Sequence, residues 1–363
     1  MHVIIVGAGV VGCAVAYELA SGGATVRVID ARGSGQGATR ASAGMLAPYI
    51  EGHSTALLQL GVRSLAEYDR FVSRVAADAQ RSIEYRRTGT LQVARTDEEA
   101  RALERHGRAL AESGATATLL DGREVRRYEP ALATNVRAAL LIPPHGYVRV
   151  GALMDALVDA AVSRGVQLSV ARAQRIARVN GRVAVETAEG TLAADAVVLA
   201  AGSWSGGIPV DAAAAPVRPV RGQLLQLRLP RPPLSRVVWG SGGYVVPWED
   251  GGVLVGSTVE EVGFDESVTA EGVRRLLERG ERLVPALGAA VFEEARAGLR
   301  PATSDELPII GASTTMRGVF YATGHYRNGV LLAPFTAVMV AELLLGDRER
   351  PELELVRPDR FGL

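Results

Sequence analysis

Three glycines, at positions 7, 9 and 12, sit behind the apolar run Val3-Ile-Ile-Val6 and ahead of a helical stretch. In that place each has its own use. Gly7 permits a tight turn, Gly9 lets the backbone approach a diphosphate, and Gly12 lets the helix pack close on the strand. The diphosphate would rest on the helix N-terminus, where N–H groups and the helix dipole favour negative charge. A second apolar run, residues 26–29, ends in Asp30, eighteen residues after Gly12. That is near the ~20 expected of an acid that binds a ribose. The pattern reads as a dinucleotide site, with FAD and NAD both open.

What the chain lacks narrows the chemistry further. All forty basic residues are arginine and lysine is absent, which removes a Schiff-base or phosphate-loop lysine. Cys13 is the single cysteine, so neither an internal disulfide nor a cysteine-based metal cluster can form. This fits a reducing cytoplasm, and the residue itself reads as a small packing group on the first helix. His2, His53, His106 and His145 have no metal-ligand spacing, so no metal is expected. Forty acidic residues balance the forty arginines. No net field is left to draw in nucleic acid or an anionic membrane, and the balance points to a small-molecule partner.

The elements that must position these residues alternate along the chain. At 363 residues two domains are expected, since single cores stop growing at about 250–300 residues. Residues 31–45 are rich in glycine and hydroxyls, and read as a loop that either wraps the nucleotide or links two elements. Residues 53–80 carry a helical stripe of Leu57, Leu60, Leu65, Tyr68, Phe71 and Val72. Strands at 83–86 and 91–94, a helix at 97–112 and a strand at 138–142 follow, and residues 146–150 lead into a helix to 162. Residues 166–179 and 182–187 read as strands about the turn Asn180-Gly181. A second buried strand then runs into Ala200-Ala-Gly202-Ser-Trp204, as a doubly wound sheet needs where another element meets the nucleotide. Residues 216–258 look antiparallel, 269–287 helical, 298–311 a loop and 319–323 a strand before the last helix. The longest apolar segment, 329–345, contains Pro334 and Glu342 and falls short of the ~20 residues of a membrane span, so it reads as a buried helix. The chain opens on a strand, and no signal peptide is expected.

Five motifs in order carry a resemblance: the glycine turn, Ala38-Thr-Arg-Ala-Ser-Ala-Gly-Met45, Ala200-Ala-Gly-Ser-Trp204, Gly298-Leu-Arg-Pro301 and Gly324-His-Tyr-Arg-Asn-Gly329. Together they make essentially the whole chain resemble the FAD-dependent D-amino-acid oxidase superfamily, and within it the glycine oxidases of thiamine thiazole biosynthesis. The resemblance implies an α/β fold of two parts. A Rossmann-like FAD-binding domain would come from residues 1–80, 143–215 and 300–363. A substrate domain with a mixed, largely antiparallel sheet would come from 81–142 and 216–299. FAD, held without a covalent bond, would touch Gly7, Gly9, Val10, Val11, Gly12, Asp30, Ala31, Ala38, Thr39, Ala43, Gly44, Met45, Ala173, Gly202, Arg327, Asn328, Gly329, Val330, Leu331, Leu332 and Ala333. Relatives of the sarcosine-oxidase type use a C-terminal cysteine and a lysine near the flavin, and neither is available here.

The resemblance also implies the reaction. An amine alpha to a carboxylate, in glycine, sarcosine or a small D-amino acid, would lose hydride to flavin N5, with O2 as acceptor giving hydrogen peroxide. The imine would hydrolyse to a keto acid and ammonia. No base on the carbon is needed, so positioning and electrostatics carry the step. Arg300, Arg327 and Tyr244 would stand at the substrate as its catalytic and binding residues. An arginine can grip the carboxylate with two parallel N–H bonds in one plane, as a lysine could not, and Tyr244 would add a hydroxyl. The helix beginning near Asn328 would aim its positive end at the reduced flavin. His325, beside that turn, either packs or takes part. Glycine oxidases carry a histidine where Gly242 stands, which bears on the side-chain size accepted. The alternatives are a dehydrogenase with another electron acceptor and a flavin-binding protein without turnover. A cytoplasmic homo-oligomer, with a tetramer as the family's form, completes the expectation.

Overall fold

The structure, a computed structural model, describes every residue except 52, 53, 212 and 347. His53, and with it the expected start of the second long helix, lies outside the described residues; the helix itself runs Thr55–Ala79. Ser54 caps it, accepting a hydrogen bond from the Leu57 N–H.

The strand His2–Val6 is an inner strand of a six-stranded sheet. It pairs in parallel with Thr25–Asp30 on one side and Ala196–Leu199 on the other. Gln167–Val170 and Val319–Thr323 extend the sheet in parallel, and Ile309–Ala312 adds an antiparallel edge. Alternate residues of the central strand enter different cores. Val3 and Ile5 face a layer of helices, Val10–Ser21, Thr55–Ala79, Val150–Ser163 and Gly329–Leu345. Ile4 and Val6 face a three-stranded antiparallel sheet, Ala173–Val179, Arg182–Thr187 and Gly190–Ala194. A strand apolar at every position is thus covered on both faces, as parallel sheets require.

The other half is an eight-stranded sheet in the order Val291–Ala302, Arg218–Arg228, Gly252–Gly256, Gly243–Pro247, Val237–Gly240, Thr90–Ala94, Ala138–Ile142, Thr118–Asp121. Its neighbours are antiparallel except Val237–Gly240 with Thr90–Ala94. The helix Ala270–Leu283 covers one face through Leu276 and Leu283.

Several expected boundaries move. Residues 298–302, expected in a loop, end the twelve-residue strand Val291–Ala302, which crosses the expected division between the two parts at 299/300. Glu293, Glu294, Arg296, Gly298 and Pro301 hide its alternation, and Pro301 is tolerated because the strand forms the sheet's edge. The single strand expected over 166–179 is two, Gln167–Val170 and Ala173–Val179, in different sheets. The helix expected to 287 stops at Leu283, and Pro285 opens a short 3-10 turn instead. Thr118–Asp121 and Gly190–Ala194, short and largely exposed, were not expected as strands. By contrast the helix Asp97–Glu112 starts where expected, because Thr96 and Glu99 form a reciprocal capping box.

The last helix contains Pro334, which has no N–H for the carbonyl of Val330 four residues earlier. The Tyr68 hydroxyl donates to that carbonyl at 2.6 Å, and the Ser64 hydroxyl donates to Leu331 O at 2.6 Å. Two side chains of one helix therefore complete the first turns of another. Among the described residues no helix is long and apolar enough to cross a membrane.

Candidate active site

A cavity of about 1140 Å³ runs between the two sheets. At one end it is lined by Gly7, Gly9, Val10, Val11, Asp30, Ala31 and the loop 37–45, and at the other by Trp239, Gly242, Tyr244, Arg300 and Arg327.

The nucleotide end is built by close approach. Gly7 has φ +114°, and a Cβ there would lie 2.3 Å from Ala200 O; one at Gly12 would lie 1.9 Å from Gly7 O. Only glycine lets helix, turn and neighbouring strand come so near. Gly9 caps the helix without a side chain. The Val10 N–H donates to Thr39 Oγ1 at 3.1 Å, so the loop after the second strand is tied to the helix's first turn. Asp30, expected at a ribose, lines the cavity and also braces the turn. Its carboxylate accepts from Ala8 N at 2.9 Å and Arg32 N at 2.8 Å.

Of the other residues expected at the cofactor, Ala38, Thr39, Ala43, Gly44, Met45, Ala173, Gly202 and Arg327 through Leu331 line the same cavity. Gly12, Leu332 and Ala333 do not. Gly12 serves the helix–strand contact, while Leu332 and Ala333 are buried in the helical core. The reason is helical geometry: only the first turn of Gly329–Leu345 faces the opening.

At the far end, Arg300 projects from the edge strand across its neighbour. Its Nη1 donates to Thr258 O at 3.1 Å and Arg221 O at 3.3 Å, and its Nη2 donates to Ser257 Oγ at 2.8 Å. Among the described residues no carboxylate lies within ion-pair distance of it, although the Glu51 charge reaches it, and none accepts from its Nε–H. Burial pulls the guanidinium below its usual pKa, with Tyr244 opposing and Arg327 adding to the effect. Tyr244 lies in the strand Gly243–Pro247, is 8% exposed, and packs at 5.2 Å on Trp239. Burial raises its pKa, so the phenol keeps its proton.

Arg327 is brought to Arg300 by the turn between them. Tyr326, at φ +47°, donates its N–H to Pro301 O at 2.8 Å and stacks its ring under Arg327, whose Cζ is 5.2 Å from the centroid. His325 is buried, its Nε2 3.0 Å from Thr336 Oγ1, and burial pushes its pKa down to about 3. It is therefore a neutral ring beside the cavity. The Ser203 hydroxyl donates to Leu299 O at 2.8 Å and the Thr323 hydroxyl to Gly202 O at 3.2 Å. The first bond ties the Gly202 turn to the strand that carries Arg300, and the second ties it to the strand Val319–Thr323.

Sequence reasoning missed Ser257, Gly222 and Arg279. Ser257 and Arg279 leave no signal, since each matters only through what folds against it. Gly222 had one: a glycine inside an otherwise alternating strand marks close approach of another group.

The arrangement suits FAD. Two helix N-termini, whose own cap residues Gly9 and Asn328 make no side-chain cap bond, open on one elongated cavity, the arrangement that a diphosphate at one end and the electron-rich edge of a flavin at the other would need. Cys13, the one residue that could form a thioether, does not line it.

The glycine oxidase of Geobacillus kaustophilus is 35% identical over 94% of this chain and 92% of its own length. The crystal structure of glycine oxidase from that organism superposes with a TM-score of 0.90 at 34% identity, covering 96% of this chain and 95% of the other. The bifunctional protein ThiO/ThiG of a Synechocystis strain is 36% identical over 99% of this chain, which spans 54%, about half, of that relative's length. Residues 2–343 match the FAD dependent oxidoreductase family as a continuous stretch. A match of that extent makes this chain a member of the FAD dependent oxidoreductase family.

Proposed function

We propose that the chain oxidises small amino acids, namely glycine, sarcosine or small D-amino acids, at the bond between the α-carbon and nitrogen. Arg300 carries this reading. It is a cation at the cavity wall with no carboxylate within ion-pair distance among the described residues, and its guanidinium is held by Arg221 O, Thr258 O and Ser257 Oγ. Three acceptors fix the plane of the fork, and the Nε–H side stays available to a substrate carboxylate. A pre-oriented charge of this kind positions without reorganising when the substrate arrives.

The neutral Tyr244 phenol supplies a second donor on the same wall, and Trp239 keeps that wall apolar. When bound, FAD supplies the acceptor for the hydride leaving the α-carbon. His325, neutral and hydrogen-bonded to Thr336, adds no positive charge that would compete with Arg300 for the carboxylate. The resulting imine hydrolyses to an oxo acid and ammonia, or methylamine where the substrate is sarcosine, and O2 is the final acceptor, giving hydrogen peroxide.

Residues 1–80, 143–215 and 300–363 act as the FAD-binding part in this reading, and 81–142 and 216–299 as the substrate part. The likeness to glycine oxidases and to a ThiO/ThiG protein supports a place in thiamine biosynthesis. The family resemblance and the single cysteine support a cytoplasmic homo-oligomer. Anaerobic mixing of the yellow holoenzyme with glycine, sarcosine and D-amino acids tests the proposal; if none bleaches the flavin, it is wrong. Stoichiometric peroxide in air separates an oxidase from a dehydrogenase that uses another acceptor.

A further inference from the structure

Arg275 and Arg279 stand one turn apart on the helix Ala270–Leu283, and both line the cavity. Their neighbour Arg274, outside the cavity, is bracketed by Glu271 and Glu278. The cavity pair has no such relief: among the described residues no carboxylate lies within ion-pair distance of either. Acids do reach this wall, but they are engaged elsewhere. Glu260 accepts from Arg221 Nε at 2.9 Å and Gln223 Nε2 at 2.8 Å, and Glu266 accepts from Arg32 Nη1 at 2.6 Å. Burial, then Arg275 and Arg282, push Arg279 below the usual guanidinium pKa, and no acid offsets them.

One residue sets Arg279 against the clamp. Ser257 accepts Arg300 Nη2 on its hydroxyl at 2.8 Å and Arg279 Nη1 on its carbonyl at 3.2 Å. The two guanidiniums are therefore hydrogen-bonded to the same residue. Beside Arg279 is Gly242, at φ +87°, where even a Cβ would lie 3.7 Å from Arg279 Nε. No side chain at that position stands between Arg279 and the cavity.

We propose that Arg279, backed by Arg275, binds a second carboxylate of the substrate, so that the preferred substrates are amines bearing two carboxylates, one on Arg300 and one on Arg279. This rests on the amine-oxidation reading and leaves its electron balance unchanged. The second carboxylate could hang from the amine nitrogen, as in iminodiacetate, or from the α-carbon side chain, as in D-aspartate and D-glutamate.

The test compares kcat/KM for glycine, sarcosine, iminodiacetate, D-aspartate and D-glutamate in the wild-type holoenzyme, Arg279→Met and Arg300→Met. The dicarboxylates should exceed the monocarboxylates in the wild type. Arg279→Met should lower the dicarboxylate-to-glycine ratio by about 10- to 100-fold, the worth of one or more charge-assisted hydrogen bonds. Arg300→Met should lower both together. The arm that responds most shows whether the second carboxylate is N-linked or on the side chain. A wild type that prefers glycine, or an Arg279→Met variant that lowers both classes equally, overturns the proposal.

Perturbation of the flavin spectrum by succinate and by acetate reads the pocket without turnover. If nothing in the panel reduces the flavin, yet succinate binds more tightly than acetate and Arg279→Met removes the difference, the second anion site stands and the oxidation reading falls. Equal binding of the two anions overturns the site itself.

Discussion

The Arg300 guanidinium lies directly over the backbone of Gly222: a Cβ there would be 2.1 Å from Nη2 and 2.3 Å from Cζ. The two strands pair with Gly222 opposite Gly298 and Val220 opposite Arg300, so the arginine reaches diagonally over the one position that has no side chain. Gly222→Ala should push the guanidinium off its three acceptors. The expected result is a KM for amino acid raised by about 10- to 100-fold with FAD retained, read from steady-state kinetics and the flavin absorbance of the same preparation. An unchanged KM would show that the close approach has no bearing on substrate.

Arg300→Ala removes the clamp itself. Hydrogen bonds to charged groups are worth about 1.5–3 kcal/mol each, so the loss of two raises KM by at least about 100-fold. FAD should stay bound, because the nucleotide end of the cavity is built from other elements. Unaltered KM in this variant rejects the carboxylate role.

Tyr68 stands in for the hydrogen bond that Pro334 cannot make. Tyr68→Phe leaves the buried Val330 carbonyl without its donor and should cost about 1–3 kcal/mol in urea unfolding. Adding Pro334→Ala supplies a backbone N–H and should recover part of that loss. A double variant no more stable than Tyr68→Phe alone contradicts the account.

FAD should leave the polypeptide on acid precipitation and colour the supernatant. Cys13 cannot tether it: the thiol donates to Ala8 O at 3.4 Å, and burial, then the Asp30 charge, push its pKa up to about 12. Flavin that stays with the pellet sinks this prediction.

His145 and His325 both have pKa values pushed down to about 3, chiefly by burial. In the unfolded chain each would titrate near 6.5. Between about 3 and 6.5 the unfolded state therefore binds more protons than the native one, and stability falls as pH drops through that window. Each histidine contributes up to about 1.4 kcal/mol per pH unit there and nothing above it. Denaturation midpoints from pH 7.5 to 5 should fall less steeply in His145→Gln, whose amide oxygen can still accept the Tyr49 N–H that His145 Nε2 receives at 3.2 Å. Parallel curves for wild type and variant would show that burial of His145 is not coupled to its proton.

The first thirty residues were legible without a structure, because what they encode is local. A strand apolar at every position, three glycines at fixed offsets and an acid at the end of the next strand follow from backbone sterics within a few residues of one another. The long helices were legible for the same reason, as in the stripe through Leu57 to Val72. The family resemblance named Arg300, Tyr244 and Arg327, but their surroundings could not be read from spacing. Arg300 sits in a strand that Gly298, Pro301 and the acidic run before them disguise as a loop, and that exists because it pairs with Arg218–Arg228 some eighty residues earlier. Its charge is held by Arg221 on the neighbouring strand and by Ser257 and Thr258 in the loop that follows Gly252–Gly256. Gly222, Ser257 and Arg279 acquire meaning only from what folds across them. Composition and periodicity report on neighbours in the chain, whereas which guanidinium meets which carbonyl is decided by register between distant strands, and that only the tertiary structure contains.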